Sequence, residues 1–219
     1  VKKTKAMIIN FTQKYQFTAR LKLNDTNLEI VDSMKILGTI LNNKLDWNQN
    51  CKNLVSKVNK RMVFLRKIHS FGASQSDMVN LWVVYCRSVL EQSAVLWQGG
   101  LTQENRKSLE RTQKSFVKLI SRGKETDYEQ SLLLLNLTTL EKRRDILSLR
   151  WAKKCLANEK TAKMFPLNKK KHDYNLRKPQ KYQVFHANTQ RMKNSPIIYM
   201  QHLLNKDHED TPTPFAGRS

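Results

Sequence analysis

The sequence changes its pattern at residues 32–38, which read Asp-Ser-Met-Lys-Ile-Leu-Gly. Before this stretch the apolar residues come in short alternating segments, which favour β-strands. From residue 46 to about residue 157 they recur at helical spacing instead. We therefore predict an α+β fold that is mainly α, in which a small antiparallel β segment (1–45) precedes a helical bundle (46–157). Three or four short strands also need helices, or a neighbouring domain, to cover one face.

The bundle is predicted to contain four helices. The first begins behind Asp46, and its apolar stripe comprises Cys51, Leu54, Val55, Val58, Met62 and Leu65. The second extends from Ser74 to Trp97 and is apolar nearly all round, which is typical of a helix buried at the centre of a bundle. The third and fourth begin behind Thr102 and Thr138, whose side chains can cap a helix. Glu91, inside the second helix, is interpreted as the ion-pair partner of Arg87.

The charge of the chain is strongly positive. Its 219 residues contain 40 Lys and Arg against 18 Asp and Glu, which gives a net charge of +22. Such an excess requires an anionic partner, and nucleic acid is the commonest one. An anionic membrane surface is the alternative, although no helix combines a basic face with the bulky apolar face that membranes need.

Two clusters of basic residues lie on the predicted helices. The first helix has a cationic outer face formed by Lys52, Lys57, Lys60, Arg61 and Lys67. Arg143 and Arg144 lie near the start of the fourth helix, where the helix dipole disfavours cations and an anionic partner would relieve the repulsion. Both clusters are candidate nucleic-acid contacts, and the alternative in each case is a merely solvated face.

A basic extension is predicted over residues 158–205, with a disordered tail over 206–219. Aromatic residues alternate with cations in the extension, a pattern suited to unpaired bases and phosphates. The alternative is a basic, partly disordered segment without a ligand. The candidate binding residues here are Lys169, Lys170, Lys171, Tyr174, Arg177 and Arg191.

No catalytic or metal-binding motif is recognised. The chain contains neither phosphate-binding glycine loops nor nucleophile motifs, and its carboxylates are spaced as turn or cap residues. Cys51, Cys86 and Cys155 are too far apart for a zinc site or a disulfide framework. No apolar run is long enough for a membrane span, and the start does not resemble a signal peptide. We expect an intracellular protein of the nucleus or cytoplasm, neither secreted nor in a membrane. Because the chain begins at Val1, we also expect that an upstream part is missing.

Several segments together resemble the C-terminal part of a reverse transcriptase from a non-long-terminal-repeat retrotransposon of the jockey-like kind. Residues 1–9 (Val-Lys-Lys-Thr-Lys-Ala-Met-Ile-Ile) resemble the Asn-x-x-Lys-Thr-Lys motif that follows the catalytic palm. Residues 34–41 (Met-Lys-Ile-Leu-Gly-Thr-Ile-Leu), with Leu-Asp-Trp at 45–47, resemble the primer-grip segment. Residues 85–97 and Leu-Glu-Arg-Thr-Gln at 109–113 resemble the helical thumb, and Tyr-Asn-Leu-Arg at 174–177 is a looser match in the tail.

The resemblance implies a role for each segment. Lys3 would lie beside the phosphates of the incoming nucleotide, and Leu37 and Gly38 would hold the 3′ end of the primer. The bundle would be a thumb that grips a template–primer duplex through its backbone. That family uses Mg²⁺ on aspartates that would lie upstream of Val1, so we expect no cofactor in this chain and no polymerase activity from it alone.

Three interpretations remain open at this stage. The chain is a fragment of an RNA-directed DNA polymerase that binds template–primer, a repurposed RNA- or DNA-binding adaptor, or an inert product of a decayed element. The expected partner is nucleic acid (an RNA template, an RNA–DNA duplex or DNA), with an upstream catalytic portion supplied in trans as a further candidate. No membrane and no small-molecule substrate are expected.

Overall fold

A computed structural model describes residues 4–11, 20–24, 26–121, 127–168 and 180–210. These residues are mainly helical with a few short strands, so the α+β, mainly α fold class is confirmed. The contacts within the chain form two units. The first unit is Val1–Ser93 with Leu101–Leu137, and the second is Ala94–Gly100 with Thr138–Ser219. The residues of the predicted bundle, 46–157, are divided between these two units.

The β part of the first unit consists of three strand pairs among the described residues. Their strands are β1 (Lys5–Ala6), β2 (Lys22–Leu23), β3 (Thr26–Asn27), β4 (Glu29–Ile30), β5 (Ser33–Ile36) and β6 (Thr39–Asn42). The β2–β3 and β5–β6 pairs are antiparallel, as expected. The β1–β4 pair is parallel, which corrects the prediction of a wholly antiparallel segment. A parallel pair requires the long connection that separates these two strands in the sequence.

The β5–β6 pair is a hairpin with a two-residue turn. Ile36 pairs with Thr39, so that only Leu37 and Gly38 form the turn. The hairpin is attached to the helical part because the Ile40 N–H donates to the side-chain oxygen of Asn50 at 3.0 Å. Asn50 is buried, so this bond is shielded from water.

Ten helices follow in the described part of the chain, together with one π-helical segment, Trp82–Arg87. The helices are α1 (Asn48–Ser70), α2 (Gln75–Leu81), α3 (Ser88–Glu91), α4 (Ala94–Trp97), α5 (Gln103–Ile120), α6 (Tyr128–Leu134), α7 (Leu140–Leu156), α8 (Glu159–Ala162), α9 (Gln190–Lys193) and α10 (Pro196–Asp210). None of them is long and apolar enough to cross a bilayer, within the described residues.

The helix starts follow the local sequence closely. The Ser74 hydroxyl accepts from the Asp77 N–H, and the Thr102 hydroxyl accepts from the Asn105 N–H, as the N-cap pattern predicts. Two starts differ from the prediction. Thr139, not Thr138, caps α7, and α1 begins at Asn48, whose N–H donates to the Asp46 carboxylate at 3.0 Å.

The core of the first unit forms where α1, the α2–α3 helix and α5 pack together. Its buried members include five of the six residues of the predicted α1 stripe, whereas Val55 is half-buried. The core residues of the three helices include Leu54, Val58, Met62, Leu65, Met78, Trp82, Leu90, Leu109 and Phe116. Trp82 stacks on Phe116 with ring centroids 4.7 Å apart. Burial of this apolar surface is the main force that holds the three helices together.

The apolar helix predicted from Ser74 to Trp97 is interrupted and is not buried on all sides. Ser93 has a φ of +53°, which ends the helix before α4 begins. This break is also where the first unit meets the start of the second in the sequence. Val84 is 73% exposed and Tyr85 is 40% exposed, so one side of the π-helical segment faces solvent.

The second unit has its own core, formed by Ala152, Cys155, Phe165, Met200 and Leu204. Two buried amides on α10 secure the chain that precedes this helix. Asn205 accepts from the Tyr182 N–H and donates to the Tyr182 carbonyl, at 2.8 and 2.9 Å. Gln201 accepts from the Phe185 N–H and donates to the Met164 carbonyl. These residues are one helical turn apart, so one face of α10 satisfies the backbone of an extended segment.

The helix α10 also corrects the prediction of a disordered tail over 206–219. Residues 206–210 are helical and form the last residues of α10. Residues 211–219 lie outside the described residues. Within the predicted basic extension, 158–205, Phe165 and Ile198 are buried in the second unit.

Candidate nucleic-acid interface

The helix α1 contains six cationic residues and no acidic residue. They are Lys52, Lys57, Lys60, Arg61, Arg66 and Lys67. The side chains of Lys52, Lys60, Arg66 and Lys67 are exposed, whereas those of Lys57 and Arg61 are half-buried. Since the opposite stripe of α1 is in the core, the helix is held rigidly with its cations toward solvent.

A surface groove of about 500 Å³ lies along this face. Its lining comes from α1 and from one residue of α5, and comprises Lys52, Val55, Ser56, Asn59, Lys60, Val63 and Ser108. None of these seven residues is acidic. Lys52 and Lys60 are eight residues apart on α1, or about 12 Å along the helix axis. The groove therefore combines two ammonium groups, neutral hydrogen-bonding side chains and an apolar strip from Val55 and Val63.

Arg61 differs from the other cations because it packs against the π-helical segment. Its guanidinium lies 4.4 Å from the centroid of the Tyr85 ring, and Nη1 donates to the Tyr85 carbonyl oxygen. Tyr85 in turn meets Phe64 edge to face, with centroids 5.8 Å apart. Burial raises the pKa of the neighbouring Cys86 thiol to about 11, and the charge of Arg61 opposes that rise only partly. Cys86 is therefore a neutral core residue.

A partly buried chain of hydrogen bonds supports the helix α5 on the other side of the core. The Trp82 indole N–H donates to the Gln113 side-chain oxygen at 3.4 Å, and Gln113 donates to the Tyr128 hydroxyl at 3.1 Å. That hydroxyl donates to Glu110 at 2.5 Å. Burial, and next the bond to Glu110, raise the pKa of Tyr128 well above its usual range. Glu110 and Gln113, which belong to the Leu-Glu-Arg-Thr-Gln segment at 109–113, therefore have packing roles here.

The turn that contains Leu37 and Gly38 is the other predicted site in the first unit. Leu37 has a φ of +47° and Gly38 a φ of +90°, the pattern of a type I′ hairpin turn. The Gln92 amide donates to the Leu37 carbonyl at 3.0 Å and so holds the turn in place. The Leu37 side chain is 92% exposed. A leucine in the left-handed region is strained, and here no burial offsets that strain.

Replacing Leu37 with asparagine is expected to stabilise the hairpin by about 1 kcal/mol, since asparagine tolerates the left-handed region far better than leucine. Hydrogen exchange at the Ile36 and Thr39 amides would measure the change. The matched variant Gly38→Ala should have the opposite effect, because its Cβ would lie 2.3 Å from the Gln92 amide nitrogen at a φ of +90°. A Leu37→Asn hairpin that exchanges faster than the original would contradict the strain assigned to Leu37.

Arg143 and Arg144 do not form one surface cluster, which corrects the prediction for Arg144. Arg143 is half-buried, whereas the Arg144 side chain is fully buried. Arg144 Nε donates to the Gln98 side-chain oxygen at 2.6 Å, and its guanidinium lies 5.6 Å from the Trp97 ring centroid. A phosphate in solvent has no access to a guanidinium in this position. Successive residues of a helix point about 100° apart, and here one of the pair points into the core.

The remaining predicted residues lie in the second unit or outside the described residues. Arg191 is exposed on α9. Lys3, Lys169, Lys170, Lys171, Tyr174 and Arg177 lie outside the described residues. The Asn168 N–H donates to the Lys181 carbonyl at 2.8 Å, and Leu167 pairs with Tyr182.

Several residues of this surface are not among those predicted from the sequence. Arg66 was omitted although it follows the same helical pattern as its neighbours. Ser108 was not predicted because it lines the groove only through the packing of α5 against α1. The exposure of Tyr85 was also missed, since the helix that contains it was predicted to be buried nearly all round. Phe64 was assigned to neither face of the first helix.

No group of three or more His, Cys, Asp or Glu side chains that could hold a metal ion is present in the described ranges. The comparisons with known proteins are negative: no family model matches the chain, and no curated protein or solved structure is significantly similar to it.

Proposed function

We propose that the chain binds nucleic acid through the outer face of α1. One observation carries the proposal: a 23-residue helix exposes cations along a groove and contains no carboxylate to neutralise them. Lysines along a rigid helix contact phosphates without reading bases, and release of counterions drives such binding. Affinity for the sugar–phosphate backbone with little sequence preference is the expected behaviour.

A more specific form of the proposal uses the resemblance to the retrotransposon reverse transcriptases. In this form, the first unit is the end of the palm followed by thumb helices, and its ligand is a template–primer duplex. The strained, exposed Leu37 supports it, because strain that folding does not require is often found at functional sites. Nucleotide transfer would then need the Mg²⁺-binding carboxylates of an upstream catalytic portion.

The test is binding of the purified chain to a recessed RNA–DNA duplex across a salt series, beside single-stranded RNA and double-stranded DNA. A steep salt dependence with preference for the recessed duplex would support the polymerase origin. A steep dependence without preference would support backbone binding and remove the support for a primer grip. Absence of binding near physiological salt would overturn the proposal and favour a decayed product.

Replacing both Lys52 and Lys60 with glutamine is expected to weaken binding about 50-fold at 0.1 M salt. The slope of log affinity against log salt should fall by about 2, because each lost phosphate contact removes about one released counterion. Fluorescence anisotropy across the salt series measures both quantities.

The control for this pair is Lys153→Gln in the second unit. The Lys153 ammonium is occupied by an ion pair with Asp207 at 2.8 Å, so its removal changes the net charge without removing an α1 contact. Equal losses of slope in the control and in the single variants Lys52→Gln and Lys60→Gln would show that binding follows net charge and not the groove.

A further inference from the structure

We propose that Phe64 is a stacking site for an unpaired nucleobase, with Tyr85 and Arg61 as positioning residues. The inference rests on the proposed function and names its ligand more closely as a single strand of RNA or DNA. The rings of Phe64 and Tyr85 are both exposed. Phe64 is 47% exposed and Tyr85 40% exposed, although they touch each other edge to face. Both rings therefore keep apolar surface in contact with water, which a stacked base would cover.

The position of Phe64 places its ring beside the cationic groove. Lys60 and Val63 line the groove, and Phe64 is the residue after Val63 and one helical turn beyond Lys60. Residues four apart on a helix are neighbours on its surface. A strand whose phosphates lie near Lys52 and Lys60 thus has an aromatic ring within reach of its bases. Cations that follow the backbone and an aromatic ring beside them are the two elements that single-strand binding proteins combine.

The aromatic pair is held rigidly before any ligand arrives. Arg61 lies 4.4 Å from the Tyr85 ring centroid and also donates to the Tyr85 backbone, and the Tyr85 ring contacts the Phe64 ring in a T-shaped arrangement. A ring that is already fixed loses little conformational entropy when a base stacks on it. Tyr85 has part of its surface covered by these contacts, so Phe64 is the ring assigned to the base.

The chemistry of the surroundings selects an unpaired nucleic acid strand. The six cations of α1, without an acid on the same helix, favour a polyanion over a neutral apolar partner. In a duplex the face of each base is covered by its stacked neighbours, so only an unpaired base can lie on Phe64. An acidic peptide would match the charge but would gain nothing specific from the ring.

The experiment compares oligothymidine with an abasic oligonucleotide of the same length, which has the same phosphates but no bases. The full chain should bind oligothymidine at least about 5-fold, and up to about 150-fold, more tightly than the abasic strand, the range expected for one stacked base. In Phe64→Leu the preference should fall close to one, while affinity for the abasic strand stays within about 2-fold of the original. Anisotropy at one fixed salt concentration provides both affinities.

The matched control is Trp151→Leu on α7. Trp151 is 38% exposed and lies near Arg150 and Lys154, so it tests whether any exposed aromatic among cations has the same effect. The inference requires that this variant keep the preference for bases. An equal reduction in both variants would overturn it, as would an acidic peptide that competes as well as oligothymidine.

The experiment can exclude base stacking on Phe64 separately from backbone binding by α1. If the original chain binds the abasic and thymidine strands equally, the stacking site is excluded while backbone binding by α1 stands. If it binds neither strand, both proposals are excluded. Because the first comparison uses the unmodified chain, the result does not depend on whether Phe64→Leu folds normally.

Discussion

Replacing Arg144 with alanine is expected to destabilise the second unit by about 3–5 kcal/mol, a loss typical of removing one member of a buried charged network. The Arg144 guanidinium is bonded to Gln98, whose amide donates to Asp145 at 2.9 Å. The Tyr199 hydroxyl donates to the same Asp145 oxygen at 2.5 Å. Removal of Arg144 would leave a cavity beside Trp97 and a buried Gln98 oxygen without its donor.

Hydrogen exchange followed by mass spectrometry would localise this effect. Peptides from α7 and α10 should lose protection in Arg144→Ala, whereas peptides from α1 should keep it. The control is Arg143→Ala, for which a loss of about 1 kcal/mol or less is expected, because its side chain is only half-buried. If the two variants exchange alike, the buried position of Arg144 is contradicted.

Replacing Trp82 with alanine is expected to destabilise the first unit by about 3–5 kcal/mol. The Trp82 side chain is fully buried, and its ring stacks nearly parallel on Phe116, at an interplanar angle of 9°. The substitution removes the stacked surface and also the donor to Gln113. Since α1 is held by this core, the nucleic-acid affinity of α1 should fall together with the stability.

The variant Trp82→Phe separates the two contributions of Trp82. It keeps a ring against Phe116 but removes the indole N–H, so the Gln113 oxygen loses its donor, at a cost of about 1–3 kcal/mol. Denaturant unfolding of the three proteins would measure the series. A Trp82→Phe variant as unstable as Trp82→Ala would show that the hydrogen bond, and not the stacked surface, provides most of the stability.

The Arg144→Ala and Trp82→Ala substitutions are expected to change stability, unlike the lysine substitutions on the surface of α1. Lys52→Gln and Lys60→Gln are expected to change affinity and its salt dependence without changing the free energy of unfolding, because both side chains are exposed. Replacement of Arg61 is expected to affect both nucleic-acid affinity and stability. Its guanidinium contributes charge to α1 and also positions Tyr85 through a ring contact and a hydrogen bond.

Much of the local structure was predictable from the sequence because short-range rules determine it. The cap at Ser74, the helical stripe of Leu54, Val58 and Met62, and the Arg87–Glu91 ion pair at 3.4 Å all depend on residues a few positions apart. The cationic face of α1 was predicted for the same reason. When one side of a helix is apolar and packs in the core, its polar side must face solvent, whichever helix packs against it.

The tertiary structure alone decided which of two similar residues faces solvent. Arg143 and Arg144 are adjacent and chemically identical, but Arg144 is buried because Gln98 and Trp97, distant in sequence, provide a polar and aromatic site for it. Tyr85 shows the converse, since it belongs to a helix that was predicted to be buried nearly all round, yet it is 40% exposed. The sequence by itself determined the charge, the helices and their core stripes, which follow from local periodicity and composition. Burial of individual side chains was decided by long-range packing, which no local pattern contains.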